Sequence, residues 1–305
     1  MPELPRRTLG RTGLEVTTLG YGAMEMRGGG YGPAVTDEEA DSVLNAVLDS
    51  GINFIDTSID YGLSEERIGK YISGRRSEYY LATKCGCLPN GGDHIHTAEN
   101  IRTGVENSLR LMKTDYLDLV QFHRSLTKSE FETQGALQEL LKLRDEGKVR
   151  FLGVSGTLPN LHEQIDMGVF DAFQIPYSAV QREHEDVIAK ASAAGAGIII
   201  RGGAARGAPS DWENRRYYML PGTQMQDRWN EAKLDDLLDG MSRIEFTLRF
   251  TLSNPDLDTT IVGTRNLDHL RDNIEYAMRG PLPAEVYEEA KRRLSTGGST
   301  PLATV

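Results

Sequence analysis

Asp56, Tyr61, Lys84 and His123 are ionisable residues of four different types, and each closes or closely follows an apolar run. Asp56 ends NFID within NFIDTSIDYG (residues 53–62), and Tyr61 follows it; Lys84 and His123 close YLATK and LDLVQFH. A free phenol has a pKa near ~10, too high for efficient proton transfer at neutral pH. A neighbouring ammonium favours the phenolate, and a carboxylate paired with that ammonium fixes its position in a drying site. A fall of ~2 in the phenol pKa corresponds to about 2.7 kcal/mol of differential interaction, within reach of one well-placed lysine. An imidazole beside them orients a carbonyl oxygen or relays a proton. The set suits an acid that protonates an oxygen as it becomes negative, as in carbonyl reduction. Singly, each residue has a plainer reading: Asp56 as a helix N-cap, Lys84 as a snorkelling surface residue, His123 as a core imidazole, Tyr61 as an apolar plug. Their coincidence on consecutive strand ends is what favours chemistry.

The elements that would position them form a rhythm of short apolar strand, turn and amphipathic helix. Strand-like runs occupy Thr18–Gly22, Ile52–Asp56, Tyr79–Lys84, Leu117–His123, Phe151–Ser155, Ala172–Ile175, Gly197–Arg201 and Thr259–Gly263. The first helix has a Thr36/Glu39 capping box, Ala40, Val43, Leu44, Val47 and Leu48 on one stripe, and Gly51 at its end. A second runs from Thr97 to Met112 with Ile101, Val105, Leu109 and Met112 on one face. A third spans Ser129 to Glu146, with Leu137, Leu140 and Leu141 inward. Strands alternating with helices predict parallel pairing, and eight strands without a dividing linker predict an α/β fold, a (β/α)8 TIM barrel, in a single domain over residues 1–305. Residues 1–17 read as a hairpin capping one end, and residues 296–305 as a flexible tail or one that closes over the pocket. Long loops after strands 1 and 7, Met24–Thr36 and Gly202–Lys233, fall on the carboxyl face where barrel enzymes hold their chemistry.

The site has no hydride source of its own, so a cofactor must supply it. Neither a Rossmann fingerprint nor a P-loop is present. The segment IVGTRNLDHLRDN (261–273) passes from a strand at Gly263 into a helix near Asn266, and that helix start beside Thr264 and Arg265 is an anion site. IIIRGGAARG adds Arg201 and Arg206 flanking Gly202 and Gly203, whose backbone can approach a pyrophosphate. The net charge is −11, from 34 basic and 45 acidic residues, with no basic stripe, so nucleic acid is not an expected partner. No signal-like segment and no apolar run of ~20 residues occurs, which predicts a soluble cytoplasmic protein without a membrane partner. Cys85 and Cys87 read as unpaired thiols; two thiols alone cannot complete a tetrahedral zinc site, and no metal is expected.

From GRTGLEVTTLGYGAM to VGTRNLDHLRDN the sequence resembles the aldo-keto reductase superfamily, through FIDTSxxYG, a TK strand end and DYLDLVQFH. The resemblance implies a (β/α)8 barrel that binds NADP(H) without a Rossmann fold, with Asp56, Tyr61, Lys84 and His123 as the catalytic tetrad. It also implies that Ser155 and Gln174 hold the nicotinamide amide and that Tyr177 stacks on the ring. Gly263, Thr264, Arg265, His269, Asp272 and Asn273 then fall on the adenosine and 2′-phosphate site, with preference for NADP(H) resting mainly on Arg265. Three departures stand out: Gly156 where Asn is usual, Gly202-Gly203-Ala204 where SPL is frequent, and His269 where Gln or Arg is frequent. Met24, Tyr31, Arg124, Trp212 and Trp229 are expected near the substrate, a small carbonyl compound or sugar; Arg124 also suits an ion pair with an acidic loop residue. The alternative function is a cofactor-sensing regulatory subunit resembling potassium-channel β subunits.

Overall fold

The computed structural model describes residues 3–28, 35–89, 93–211, 213 and 222–296. Among the described residues there are ten strands: β1 (Arg6–Thr8), β2 (Glu15–Thr17), β3 (Leu19–Gly22), β4 (Phe54–Asp56), β5 (Tyr80–Cys85), β6 (Leu117–Phe122), β7 (Val149–Ser155), β8 (Ala172–Pro176), β9 (Gly197–Arg201) and β10 (Thr259–Val262). β3 to β10 close a barrel in sequence order, every neighbouring pair parallel, with β10 hydrogen-bonded to β3. This is the predicted (β/α)8 architecture. β1 and β2 form the predicted antiparallel hairpin. Its tip lies under the start of β9, where the Arg11 amide donates to the Gly195 carbonyl at 2.8 Å.

The helices between the strands are α1 (Asp37–Asp49), α2 (Ser64–Tyr71), α3 (Ala98–Met112), α4 (Lys128–Thr133), α5 (Ala136–Asp145), α6 (Leu161–Asp166), α7 (Glu185–Ala193), α8 (Gly222–Glu231) and α9 (Arg243–Leu252), and α10 (Leu267–Met278) and α11 (Ala284–Thr296) follow the last strand. The Thr36/Glu39 capping box forms at α1 and its predicted stripe is buried. The third predicted helix is instead two, α4 and α5, because Gly135 takes a left-handed φ of 67° that a continuous helix cannot contain. α5 buries Leu137, Leu140 and Leu143, while Leu141 is only partly buried. In α3, Ser108 joins Ile101, Val105 and Met112 inside, and Leu109 sits at the margin. α11 keeps Ser295 and Thr296 helical; the rest of the predicted tail lies outside the described residues. No described helix is long and apolar enough to cross a membrane.

Strand periodicity sorts the barrel interior into layers. Phe54, Ala82, Leu119, Ala172 and Ile199 form one apolar layer, closed from below by Leu9, Leu14 and Val16 of the hairpin region. Two residues further along each strand come Asp56, Lys84, Gln121, Gln174 and Arg201. The apolar plug therefore supports a polar layer at the carboxyl rim.

α2 fixes the rim from outside, and Gly69 lets it approach α3. A Cβ at Gly69 would stand 1.9 Å from the Leu111 carbonyl oxygen and 2.8 Å from the Met112 Cα. Alanine in a helix normally gains ~0.5–1 kcal/mol over glycine, but this contact is with backbone and cannot yield cheaply. Gly69→Ala is expected to destabilise the protein by ~1–3 kcal/mol, read as a lower urea midpoint with an unchanged m-value.

Candidate active site

Asp56 anchors the polar layer. Its Oδ2 accepts from Lys84 Nζ at 2.5 Å, and its Oδ1 accepts from Gln121 Nε2 at 2.9 Å and Gln174 Nε2 at 2.8 Å. Lys84 also donates to the Thr57 carbonyl at 2.7 Å. Both charged residues are at most 2 % exposed, so the pair persists only because each partner is charge-compensated and hydrogen-bonded. Burial works to lower the Lys84 pKa, but Asp56, with Tyr61 and Asp60, holds it above the ordinary lysine value.

Tyr61 sits on a tight turn between β4 and α2. The turn is closed by Tyr61 N–H donating to the Ser58 carbonyl and Ser64 N–H donating to the Tyr61 carbonyl, with Gly62 at φ +51°. Ser64 Oγ lies 2.8 Å from Thr57 Oγ1 and donates to the Ala23 carbonyl at 2.8 Å, tying this turn to the segment after β3. The Tyr61 ring lies 4.9 Å from Lys84 Nζ, and its centroid is 5.8 Å from that of His123 in an edge-on arrangement. The tetrad residues are thus brought together as expected. The direction of the phenol's shift is not the expected one: burial raises the Tyr61 pKa, outweighing the pull of Lys84. The hydroxyl is held as a donor. Burial likewise lowers the His123 pKa against the attraction of Asp60, leaving a neutral imidazole at neutral pH.

Behind this turn, Glu65 of α2 accepts from Thr83 Oγ1 at 2.6 Å, one residue before Lys84. Burial lifts its pKa from 4.5 to about 7, with Thr83, Ser108 and Lys84 pulling the other way. In the folded protein the carboxyl holds its proton more tightly than in the unfolded chain, so stability is fully present below ~4.5 and is lost as pH rises through ~7. The effect is on the order of 3 kcal/mol. Glu65→Gln is expected to flatten the fall in unfolding free energy between pH 5 and 8 relative to wild type, measured by urea denaturation at each pH.

Ser155 and Gln174 lie opposite each other in register, Ser155 Oγ donating to Gln174 Oε1 at 3.0 Å. Gly156 is close-packed: a Cβ there would meet Ser125 Oγ at 3.1 Å and Leu161 Cδ2 at 3.2 Å. Arg201 ends β9, and Gly202 and Arg206 follow it, with Gly202 at φ +76° and Arg206 left-handed at φ 53°. Gly203 is pressed against β10, where a Cβ would fall 2.2 Å from Thr260 Oγ1, so the β9 and β10 exits are neighbours. After β10, Gly263, Arg265, His269 and Asp272 are exposed, while Thr264 and Asn273 are buried. The first turn of α10 is not an open anion site: the Asn266 side chain already accepts from the Asp268 and His269 amides.

Two expected residues are placed elsewhere. Tyr177 is fully buried, its ring stacked on Phe250 at 6.2 Å and its hydroxyl 3.4 Å from that of Tyr287, which leaves no open ring face for a nicotinamide. Trp229 of α8 is also fully buried, edge-on to Phe246 at 5.7 Å and donating to Asp235 Oδ1 at 3.0 Å, so it packs helices instead of lining a substrate pocket. Met24 is half-buried just beyond β3 and Arg124 is exposed beside His123, both at the rim. Tyr31 and Trp212 lie outside the described residues.

Gln121 was missed from sequence, although its place two residues after Leu119 in the same strand was the available signal. Asp60, Cys87 and His94 were missed as well. Each offers a donor atom that, together with one from His123, lies within 4.8 Å of the others. Both cysteines are free thiols, and burial, then the charge of Asp60, pushes the Cys87 thiol up to about 12.

A model of the aldo/keto reductase family matches residues 18–293. The chain belongs to this family. Among curated aldo/keto reductase relatives and neighbours, L-galactose dehydrogenase of Arabidopsis thaliana is 29% identical, covering 90% of this chain and 88% of its own. The aldo-keto reductase str7 of Strobilurus tenacellus is 30% identical, with 89% and 86% covered. The solved holo form of aldo-keto reductase AKR11C1 from Bacillus halodurans superposes with a TM-score of 0.81 at 25% identity, covering 95% of this chain and 96% of that one. Membership makes this aldo/keto reductase an oxidoreductase on a TIM barrel.

Proposed function

We propose that this chain is an NADPH-dependent reductase of aldehydes or ketones, or in reverse a dehydrogenase that oxidises an alcohol or sugar with NADP+. The observation that carries the reading is the dry Lys84 ammonium, held 2.5 Å from Asp56 and 4.9 Å from the Tyr61 ring, with His123 against that ring's edge. Three charge types alone would be a structural ion cluster; a protonated phenol at the rim makes it an acid site.

The residues fit a nicotinamide cofactor. Ser155 and Gln174 offer a hydroxyl and an amide, both with hydrogen-bonding capacity left over, which matches the donor and acceptor of a carboxamide. Arg201, Arg206 and Arg265 form a cationic set on a chain of net charge −11, suited to phosphates, with His269 as a further polar side chain, and Arg265 suits a 2′-phosphate. Bound there, the cofactor supplies the hydride. Tyr61 donates its phenolic proton to the oxygen that becomes negative, Lys84 stabilises the phenolate left behind, Asp56 fixes Lys84, and neutral His123 orients the oxygen by hydrogen bonding. The apolar layer beneath keeps water from entering through the barrel.

The test is loss of NADPH absorbance with a panel of aldehydes and ketones, together with the reverse assay on alcohols and sugars. L-galactose belongs in the panel because a curated relative is named for it. Turnover supports the reading. Tight NADPH binding with no turnover across the panel would favour a cofactor-sensing role instead.

A further inference from the structure

Asp60, Cys87, His94 and His123 come from three consecutive loops at the carboxyl rim, those after β4, β5 and β6. Three polar atoms converge on one ring nitrogen: His123 Nδ1 lies 3.0 Å from Cys87 Sγ, 3.2 Å from Ser58 Oγ and 3.3 Å from Asp60 Oδ1. Ser58 Oγ donates to Asp60 Oδ1, and a neutral imidazole nitrogen can make only one good hydrogen bond, so Cys87 Sγ and Asp60 Oδ1 are left sharing a single ring nitrogen. Cys87 Sγ also lies 3.8 Å from His94 Nδ1, and the His94 and His123 rings meet at 5.5 Å. A tetrahedral ion with bonds of about 2.0 Å to N and O and 2.3 Å to S spaces its ligands about 3.3–3.5 Å apart. Three ligand pairs, at 3.0, 3.3 and 3.8 Å, bracket that range, and all four ligand atoms lie within 4.8 Å of one another.

We propose that Asp60, Cys87, His94 and His123 form a binding site for one divalent ion of the zinc class. Two nitrogens, one sulfur and one oxygen select a borderline-soft ion over magnesium or calcium, which prefer all-oxygen sets. Binding breaks the Cys87 S–H bond and forms an S–metal bond, the proton leaving to water, with no change of oxidation state. Coordination through Nδ1 keeps the His123 ring proton on Nε2, so an occupied site sets the tautomer of a rim imidazole. The ion was not legible from Cys85 and Cys87, because only Cys87 takes part and its partners lie on other loops.

Binding is read without turnover, so this inference stands or falls apart from the reductase reading. Chelator-treated full-length protein is titrated with Co²⁺ alone. The expected result is one equivalent bound, with a four-coordinate ligand-field spectrum and a thiolate-to-cobalt charge-transfer band, both abolished by Zn²⁺. Cys87→Ser removes the charge-transfer band and Cys85→Ala retains it. His94→Ala, at a half-buried loop residue, weakens binding by more than ~10-fold while the urea midpoint of the metal-free protein stays within ~10 % of wild type. A spectrum lacking the charge-transfer band, one unchanged in Cys87→Ser, or an affinity unchanged in His94→Ala overturns the proposal.

Discussion

Tyr61→Phe is expected to lower turnover by ~10²–10⁴ while leaving NADPH affinity unchanged, the size of effect that loss of one positioned proton donor produces. The substitution removes a single oxygen. The phenyl ring keeps its edge-on packing against His123 at 5.8 Å and its place on the turn, because that turn is held by backbone bonds and by Ser64. The cofactor groups proposed at Ser155, Gln174 and Arg265 do not include Tyr61, so affinity measured by fluorescence titration controls for misfolding. If the variant turns over at the wild-type rate, the phenol is not the acid and the proposed mechanism fails. If both affinity and turnover collapse, Tyr61 is acting as a structural plug, the plainer reading of the same residue.

The parts of this site that strand periodicity controls were legible in the sequence. Asp56 lies two residues after Phe54 and Lys84 two after Ala82, so once the apolar residues face the barrel axis the charged ones must face it at the rim. The same logic covers Gln121 and Gln174. The barrel itself followed from eight apolar runs separated by helices, each strand end agreeing with the structure to within two residues. What failed depended on packing between elements. Tyr177 follows β8 directly, yet its ring turns outward into the contact with Phe250 and Tyr287. Trp229 is an aromatic in a long connection, but it anchors α8 against α9. A glycine inside an apolar helical pattern does not announce a positive φ, so Gly135 hid the break between α4 and α5. The phenol's direction of shift was misjudged for a related reason: the nearby charge was visible in sequence, while the extent of burial that opposes it was not.

The buried pair offers the second large effect. Lys84→Met is expected to destabilise the protein by ~3–5 kcal/mol, because it leaves the Asp56 carboxylate in the barrel interior with only the amides of Gln121 and Gln174 as donors. A charge so stranded must either recruit water or take up a proton, and the apolar layer of Phe54, Ala82 and Leu119 beneath it makes the first costly. Removing both charges relieves that penalty: Asp56→Asn combined with Lys84→Met is expected to recover most of the lost stability in urea denaturation, since a neutral amide can bond to the same glutamines. Turnover should not recover, because the phenolate left by proton donation at Tyr61 would still lack its cation. The double variant therefore separates two roles of one lysine. Recovered stability with absent turnover assigns Lys84 a part in the chemistry; recovered turnover would reduce it to a partner that Asp56 needs only for folding.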